Sequence, residues 1–343
     1  MELGTRSTAR KVTVALQGNK TPADYAALAG LAEHLGFDGV SVYADLGFQP
    51  AIAPLLAMAG ATRRVRLGPA ALNPSLLHPV EIAGQIAVLD AAADGRAYLG
   101  LARGAWLAAV GAEPDRPIRR LREAIELIRR LLAGDRSGYA GEIFRLAPGF
   151  GFEYPILRSS VPLLIGAWGP ALAALAGEVA DELKVGGSAN PDLVRVMRAR
   201  LAAGEHRAGR PVGSVGVVFG AVTVVDDDGA AARAIARREV ARYLPVVAPL
   251  DPTIDLPSEL LREMAERVAR GAEGEAAALV PDEALDRFAF SGTPEQVARQ
   301  ATDLFMAGVD RVEFGTPHGL SEEGGIRLLG ERVLPQMRSA ASV

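Results

Sequence analysis

Short runs of apolar residues alternate along this chain with longer stretches in which apolar residues recur at helical spacing. Lys11 to Leu16 reads as a buried strand, and Pro22 to Leu35 then sets Ala and Leu at three- and four-residue intervals until Gly36 stops the pattern. The couplet returns. Gly39 to Tyr43 precedes a helical stretch from Pro50 to Ala61, and Val65 to Gly68 precedes a helix from Pro79 to Ala92. Ala97 to Leu101 precedes an amphipathic helix from Ile118 to Leu132 with paired arginines on its polar face. After an irregular Gly- and Pro-bearing segment, Gly134 to Ser160, come Pro162 to Ile165 and Glu182 to Val185 with a helix between them. The β-branched run Val215 to Val225 and a helix from Ala230 to Tyr243 follow. The last apolar run, Val309 to Phe314, ends in the turn-like Gly315-Thr316-Pro317-His318-Gly319.

Eight strands near residues 13, 41, 66, 99, 164, 184, 220 and 312 predict a closed (β/α)8 TIM barrel, because parallel strands buried on both faces read as near-continuous apolar runs. An open doubly wound sheet is the competing arrangement. Residues 244 to 288 break the repeat with Pro249, Pro252, Pro257 and a charged helix from Ser258 to Arg270. They are read as an insertion after strand seven, of the kind that covers a barrel mouth. No stretch has the composition of a flexible linker, so residues 1–343 are expected to form a single domain.

Composition narrows the function. A formal net charge of −4 lacks the basic excess that nucleic acid or an anionic membrane requires. The absence of cysteine removes disulfides, thiolate nucleophiles and Cys-ligated metals, and the four histidines, at 34, 78, 206 and 318, are too scattered to form a metal site by spacing. Apolar stretches such as Ala51 to Ala61 are broken well before the roughly 20 residues of a membrane span. No apolar stretch follows the basic residues of Met1 to Lys11, so no secretory signal is read and a cytoplasmic location is expected.

Several segments in order then carry a resemblance. Leu67-Gly68-Pro69-Ala70-Ala71-Leu72-Asn73-Pro74, His78-Pro79, Leu89-Asp90 and Gly95-Arg96-Ala97-Tyr98-Leu99-Gly100 resemble the luciferase-like monooxygenase superfamily. The stretch Val161 to Pro170, with Leu175-Ala176-Gly177-Glu178 and Ala180-Asp181, is similar to its fifth and sixth units. The Gly315 to Gly319 ending, followed by Gly325 to Gly330 and Val333-Leu334-Pro335, resembles the methylenetetrahydromethanopterin reductase branch. The resemblance implies a barrel with an insertion that holds coenzyme F420, a deazaflavin, or alternatively FMN at the C-terminal ends of its strands. A deazaflavin has carbon in place of flavin N5 and carries hydride rather than activating oxygen, so the cofactor decides between reductase and monooxygenase. A dimer through helices beside strands two and three is implied as well, and Ala51 to Ala61 would supply the face, though it also reads as an ordinary core-facing helix.

The resemblance implies site residues, each with a plainer reading. Ala70-Ala71 matches the place of a non-proline cis peptide behind the cofactor ring, although alanines at a strand end also serve as small packing residues. Gly166-Ala167-Trp168-Gly169-Pro170 precedes a helix whose N-terminus would hold phosphate, and such loops also occur in barrels without one. Trp168 would pack on the cofactor or plug the strand end. Asp45 is expected at the hydroxyl edge of the ring, or as a turn cap; Asn73 and Gly104 are expected to contact the cofactor, Asn73 alternatively orienting a substrate. Gln17, Arg103 and His318 are the expected substrate-orienting groups, His318 alternatively bracing its turn, while His78 reads as structural and His34 and His206 as solvated. Ala15, Leu46 and Ala105 stand where relatives have polar residues, which argues against methylenetetrahydromethanopterin and sugar phosphates as substrates. The implied activity is hydride transfer from reduced deazaflavin to a small C=N, C=C or C=O substrate. An FMN monooxygenase and a non-catalytic flavin-binding barrel are the alternatives.

Overall fold

The strands follow one another round a ring. A computed structural model describes residues 10–339; the stretch Met1 to Ala9, most of the segment read above for a secretory signal, lies outside the described residues. The strands are β1 (Lys11–Leu16), β2 (Gly39–Val42), β3 (Arg66–Pro69), β4 (Leu99–Ala102), a small hairpin of β5 (Tyr139–Ala140) and β6 (Arg145–Leu146), then β7 (Leu163–Gly166), β8 (Glu182–Gly186), β9 (Gly216–Val225), β10 (Ala289–Gly292) and β11 (Arg311–His318). Hydrogen-bonded neighbours run β3-β2-β1-β11-β9-β8-β7-β4, all parallel. The ring closes between β3 and β4 through the bridges Leu67↔Ala97 and Leu72↔Leu101. This is the expected (β/α)8 barrel.

The helices begin where their chemistry says they should. In α1 (Pro22–Leu35) Thr21 and Asp24 form a capping box and Gly36 takes the left-handed conformation that ends the helix. The other helices before the insertion are α2 (Ile52–Ala61), α3 (Pro79–Ala92), α4 (Pro117–Leu132), α5 (Pro170–Val179), α6 (Pro191–Arg207) and α7 (Gly229–Val247). Proline occupies the first turn of α1, α3, α4, α5 and α6, where its missing N–H costs nothing. A second apolar cluster forms where α8 (Ser258–Ala269), α9 (Glu273–Ala277) and α10 (Asp282–Phe288) pack Leu261, Met264, Ala276 and Phe288 against Val240 and Leu244 of α7. The insertion is thus a small helical layer with its own core.

Two details differ from expectation. β10, missed in sequence, follows the insertion and pairs with the far half of β9, Ala289↔Val222 to Gly292↔Val225, above the stretch used by β8. Its four residues Ala-Phe-Ser-Gly carry too little β-branched signal to stand out before α11 (Pro294–Met306). Gly315 to His318, read as a turn, continues β11 across a register shift, with a cis bond at Thr316-Pro317. Pairing of Gly315 with Val222 and of His318 with Val224 keeps the segment against β9 as a bulged continuation of the strand, despite its Gly/Pro composition.

Candidate active site at the C-terminal ends of the strands

Hydrogen bonds across the barrel identify its inward face. Ser41 Oγ donates to Glu313 Oε2 at 2.9 Å, and the Lys184 ammonium pairs with Glu313 Oε1. Because side chains alternate along a strand, Ala15, Tyr43, Ala70, Gly186 and Gly315 share these inward faces nearer the C-terminal ends. The parallel register adds Gly166 and Ala102, which align with Lys184. Small residues dominate this level, and a Cβ on Gly186 would meet nothing within 4 Å. Beneath it the interior is filled with charge: Arg311 Nη2 donates to Glu182 Oε2 at 2.8 Å, Arg66 lies 3.8 Å from Glu182 Oε1, and both guanidinium groups lie over the Tyr98 ring.

Each expected residue has a definite place. The Ala70–Ala71 peptide is cis and follows directly on β3. Gly100 lets this corner pack on β4, since a Cβ there would lie 2.0 Å from the Pro69 carbonyl oxygen and 3.5 Å from the Ala71 methyl. Asn73 is buried and caps the next turn, its Oδ1 accepting from Ser75 N–H at 3.2 Å and Leu76 N–H at 3.0 Å. A Cβ on Gly104 would sit 3.1 Å from the Asn73 amide, so the loops after β3 and β4 touch. Gln17 Nε2 donates to Asp45 Oδ2 at 3.0 Å while its Oε1 accepts from Gly18 N–H at 2.9 Å, joining the ends of β1 and β2. Arg103 is exposed and has no ion-pair partner among the described residues.

The loop after β7 ends at an open helix start. Gly169 is the N-cap of α5 and offers no capping side chain, and a Cβ on Gly169 or Gly186 would meet nothing within 4 Å. The first-turn N–H groups thus lack a capping side chain, and the space beside Gly169 and Gly186 is open, as a site for an anionic group would need. Ala167 is buried, Pro170 occupies the first helical position, and Trp168 donates from Nε1 to the Gly186 carbonyl at 3.0 Å while packing against both apolar clusters. Trp168 seals the strand ends to the insertion.

His318 is a correction. Its side chain is fully buried, with Nε2 3.2 Å from the Phe314 carbonyl oxygen and Nδ1 3.6 Å from Glu322 Oε1, which itself is in a carboxylate bridged to Lys20 at 3.0 Å. The ring braces its own turn and has no surface to offer a substrate. The other histidines match expectation: His78 caps α3 by accepting from Val80 N–H at 3.2 Å, and His34 and His206 are exposed.

Sequence reasoning overlooked Tyr43, Lys184 and Glu313. A signal was present, because β8 (Glu-Leu-Lys-Val) and β11 (Arg-Val-Glu-Phe) place charge at every second position, the period of an inward face. Burial raises the Glu313 carboxyl, but Lys184, Arg311 and the Ser41 hydroxyl outweigh it and hold the group below the usual range. Glu182 is lowered in the same way, its burial offset by Arg311 and Arg66. Burial pushes the Tyr98 phenol up to about 12 and raises Tyr43 well above the ordinary tyrosine value, the Glu313 and Asp45 charges adding to the latter.

The family described as luciferase-like monooxygenase matches residues 1–311 of this sequence. The chain belongs to that family. Within it, a 5,10-methylenetetrahydromethanopterin reductase of Archaeoglobus fulgidus is 31% identical over 318 residues, covering 90% of this chain and 94% of its own length. An F420-dependent glucose-6-phosphate dehydrogenase of Nakamurella multipartita is 29% identical over 333 residues, 93% of each chain. The solved structure of the coenzyme F420 dependent tetrahydromethanopterin reductase from Methanopyrus kandleri superposes with a TM-score of 0.87 at 27% identity, over 96% of this chain and 99% of its own. All three are named as reductases or dehydrogenases, and the Nakamurella and Methanopyrus proteins are named for their dependence on F420.

Proposed function

We propose that this luciferase-like chain is an F420-dependent oxidoreductase that moves hydride from the reduced deazaflavin to a small organic acceptor. The observation that carries the reading is the likeness along most of the chain to proteins named as F420-dependent, 29% identity over 93% of the chain to a dehydrogenase together with a TM-score of 0.87 to a reductase. The residues at the mouth fit such a cofactor. The open N-terminus of α5 and the loop from Gly166 to Pro170 would hold its anionic tail, the Ala70-Ala71 corner would back its ring, and the Gln17–Asp45 pair would meet its polar edge, with Asn73 and Gly104 supporting the corner. When bound there, the deazaflavin supplies a two-electron hydride. Arg103, exposed and unpaired at the rim, orients an acidic part of the substrate.

The acceptor is a C=N, C=C or C=O group in a small molecule. The enzyme works in the cytoplasm on a small-molecule partner, in keeping with a formal net charge of −4, and none of the described helices is long and apolar enough to cross a membrane. It forms a homodimer through α2, whose ten residues carry no charge and whose outer face presents Ala53, Leu56, Ala57 and Gly60; sedimentation at a single mass of one chain would remove this part. Titrating the protein with F420 and, in parallel, with FMN tests the cofactor through fluorescence quenching. Micromolar binding of F420 with FMN much weaker is expected. The reverse preference would reassign the chain to FMN-dependent oxygen chemistry, and binding of neither would make it a non-catalytic barrel.

A further inference from the structure

Tyr43 has a position that the reading so far does not use. It follows β2 on the inward face, and its phenol crosses β1 to reach β11, where a Cβ on Gly315 would lie 2.4 Å from the tyrosine oxygen. Two small residues make that crossing possible. Ala15 on β1, fully buried, leaves room beneath the ring, and the glycine at 315 leaves room for the hydroxyl. The Lys184 ammonium lies 5.2 Å from the ring centroid, itself paired with Glu313. The phenol is half-buried, and its hydroxyl makes no hydrogen bond to any described residue and is not sealed from solvent.

A buried aromatic hydroxyl usually finds a partner within its own chain. Tyr98, one layer lower, is sealed between Arg66 and Arg311 and cannot reach the mouth. Tyr243 reaches from α7 but spends its hydroxyl on the Phe288 carbonyl. Asp45 is held by Gln17 and His318 is enclosed. Tyr43 alone among these groups has a free donor directed at the open level of the barrel.

We propose that the Tyr43 hydroxyl is a catalytic residue: it donates a hydrogen bond to the heteroatom of the acceptor, which must therefore be an imine, iminium precursor or carbonyl rather than an isolated C=C. This rests on the hydride-transfer reading above and narrows its substrate class. The acceptor carbon gains the hydride, the π pair of the C=X bond moves onto X, and the charge that develops there is met by the hydroxyl. X then takes a proton by way of Tyr43, which is reprotonated from water. The raised pKa of the phenol keeps it protonated, as a donor must be, through the neutral range.

The test compares wild type, Tyr43→Phe and Gly315→Ala, each loaded with F420 and given 2-cyclohexenone as a carbonyl probe. Wild-type protein that fails to bind F420 would sink the cofactor reading itself and, with it, this inference; binding within about twofold across the three proteins isolates Tyr43. The expected result is a carbonyl stretch shifted to lower frequency in wild type and unshifted in Tyr43→Phe, with kcat on carbonyl acceptors lower by about a hundredfold or more. Gly315→Ala, which keeps the hydroxyl but displaces it, is expected to reduce the shift without abolishing the fold. A band unshifted in wild type, or equally shifted in wild type and Tyr43→Phe, overturns the proposal.

Discussion

The lower interior of this barrel and its mouth are built from opposite materials. Below, Lys184, Arg311 and Glu313 are buried, Arg66 and Glu182 are half-buried, and the five are joined to one another by ion pairs and hydrogen bonds. Above, the residues are small, Ala15, Ala70, Ala102, Gly166, Gly186 and Gly315, and the polar groups that border them include Arg103 and the Tyr43 hydroxyl, neither with a partner among the described residues. The difference teaches that charge density does not mark the reaction site here. A charge that is fully paired and sealed has no capacity left for a ligand, whereas an unpaired donor facing open volume has.

If this division of labour is right, mutations in the two layers have different signatures. The largest effect on stability is expected from Glu313→Ala, which leaves Lys184 buried and unpaired and costs about 3 to 5 kcal/mol; the midpoint of urea unfolding reads it. The same carboxylate gives the wild type an acid limit. Its folded pKa lies below its unfolded value, so its stabilisation is complete above the ordinary glutamate value of 4.5 and is lost as pH falls through the folded value. Unfolding free energy measured against pH is therefore expected to fall more steeply below 4.5 in wild type than in Glu313→Gln.

Gly100→Ala sharpens the boundary between the layers. The added methyl would meet the Pro69 carbonyl, pushing on the corner that carries the Ala70–Ala71 cis peptide. A loss of about 1 to 3 kcal/mol is expected from overpacking, together with weaker F420 binding. Unchanged affinity would separate that corner from the cofactor. The smallest structural effect is expected at the mouth itself: Asp45→Ala should alter stability by less than about 0.5 kcal/mol and weaken F420 binding about tenfold, or ~1.4 kcal/mol. Full cofactor affinity in Asp45→Ala would remove the Gln17–Asp45 pair from the site.

The repeating helices were legible because each carries its boundaries locally. Pro22 and Gly36 mark both ends of α1, and Pro79 marks the start of α3, without reference to any distant residue. β10 was not legible, since Ala289 to Gly292 become a strand only because the far half of β9 offers an unpaired edge. The sequence leaves the two roles of His318 open for a related reason. Its loop lies at the right end of the barrel, but a register shift after Gly315 turns the ring inward against the Phe314 carbonyl.

By itself the sequence determined the alternation of strands and helices, the barrel, the insertion and the glycine-rich loop before α5, all of which depend on local pattern and spacing. The tertiary structure alone decided which polar residues are available for chemistry. Lys184 and Glu313, 129 residues apart, neutralise each other, while Tyr43 crosses a neighbouring strand to keep its hydroxyl free beside Gly315. Whether a polar group is spent or available depends on partners brought together by closure of the sheet, and strand periodicity carries the face of each residue but not the identity of what stands opposite.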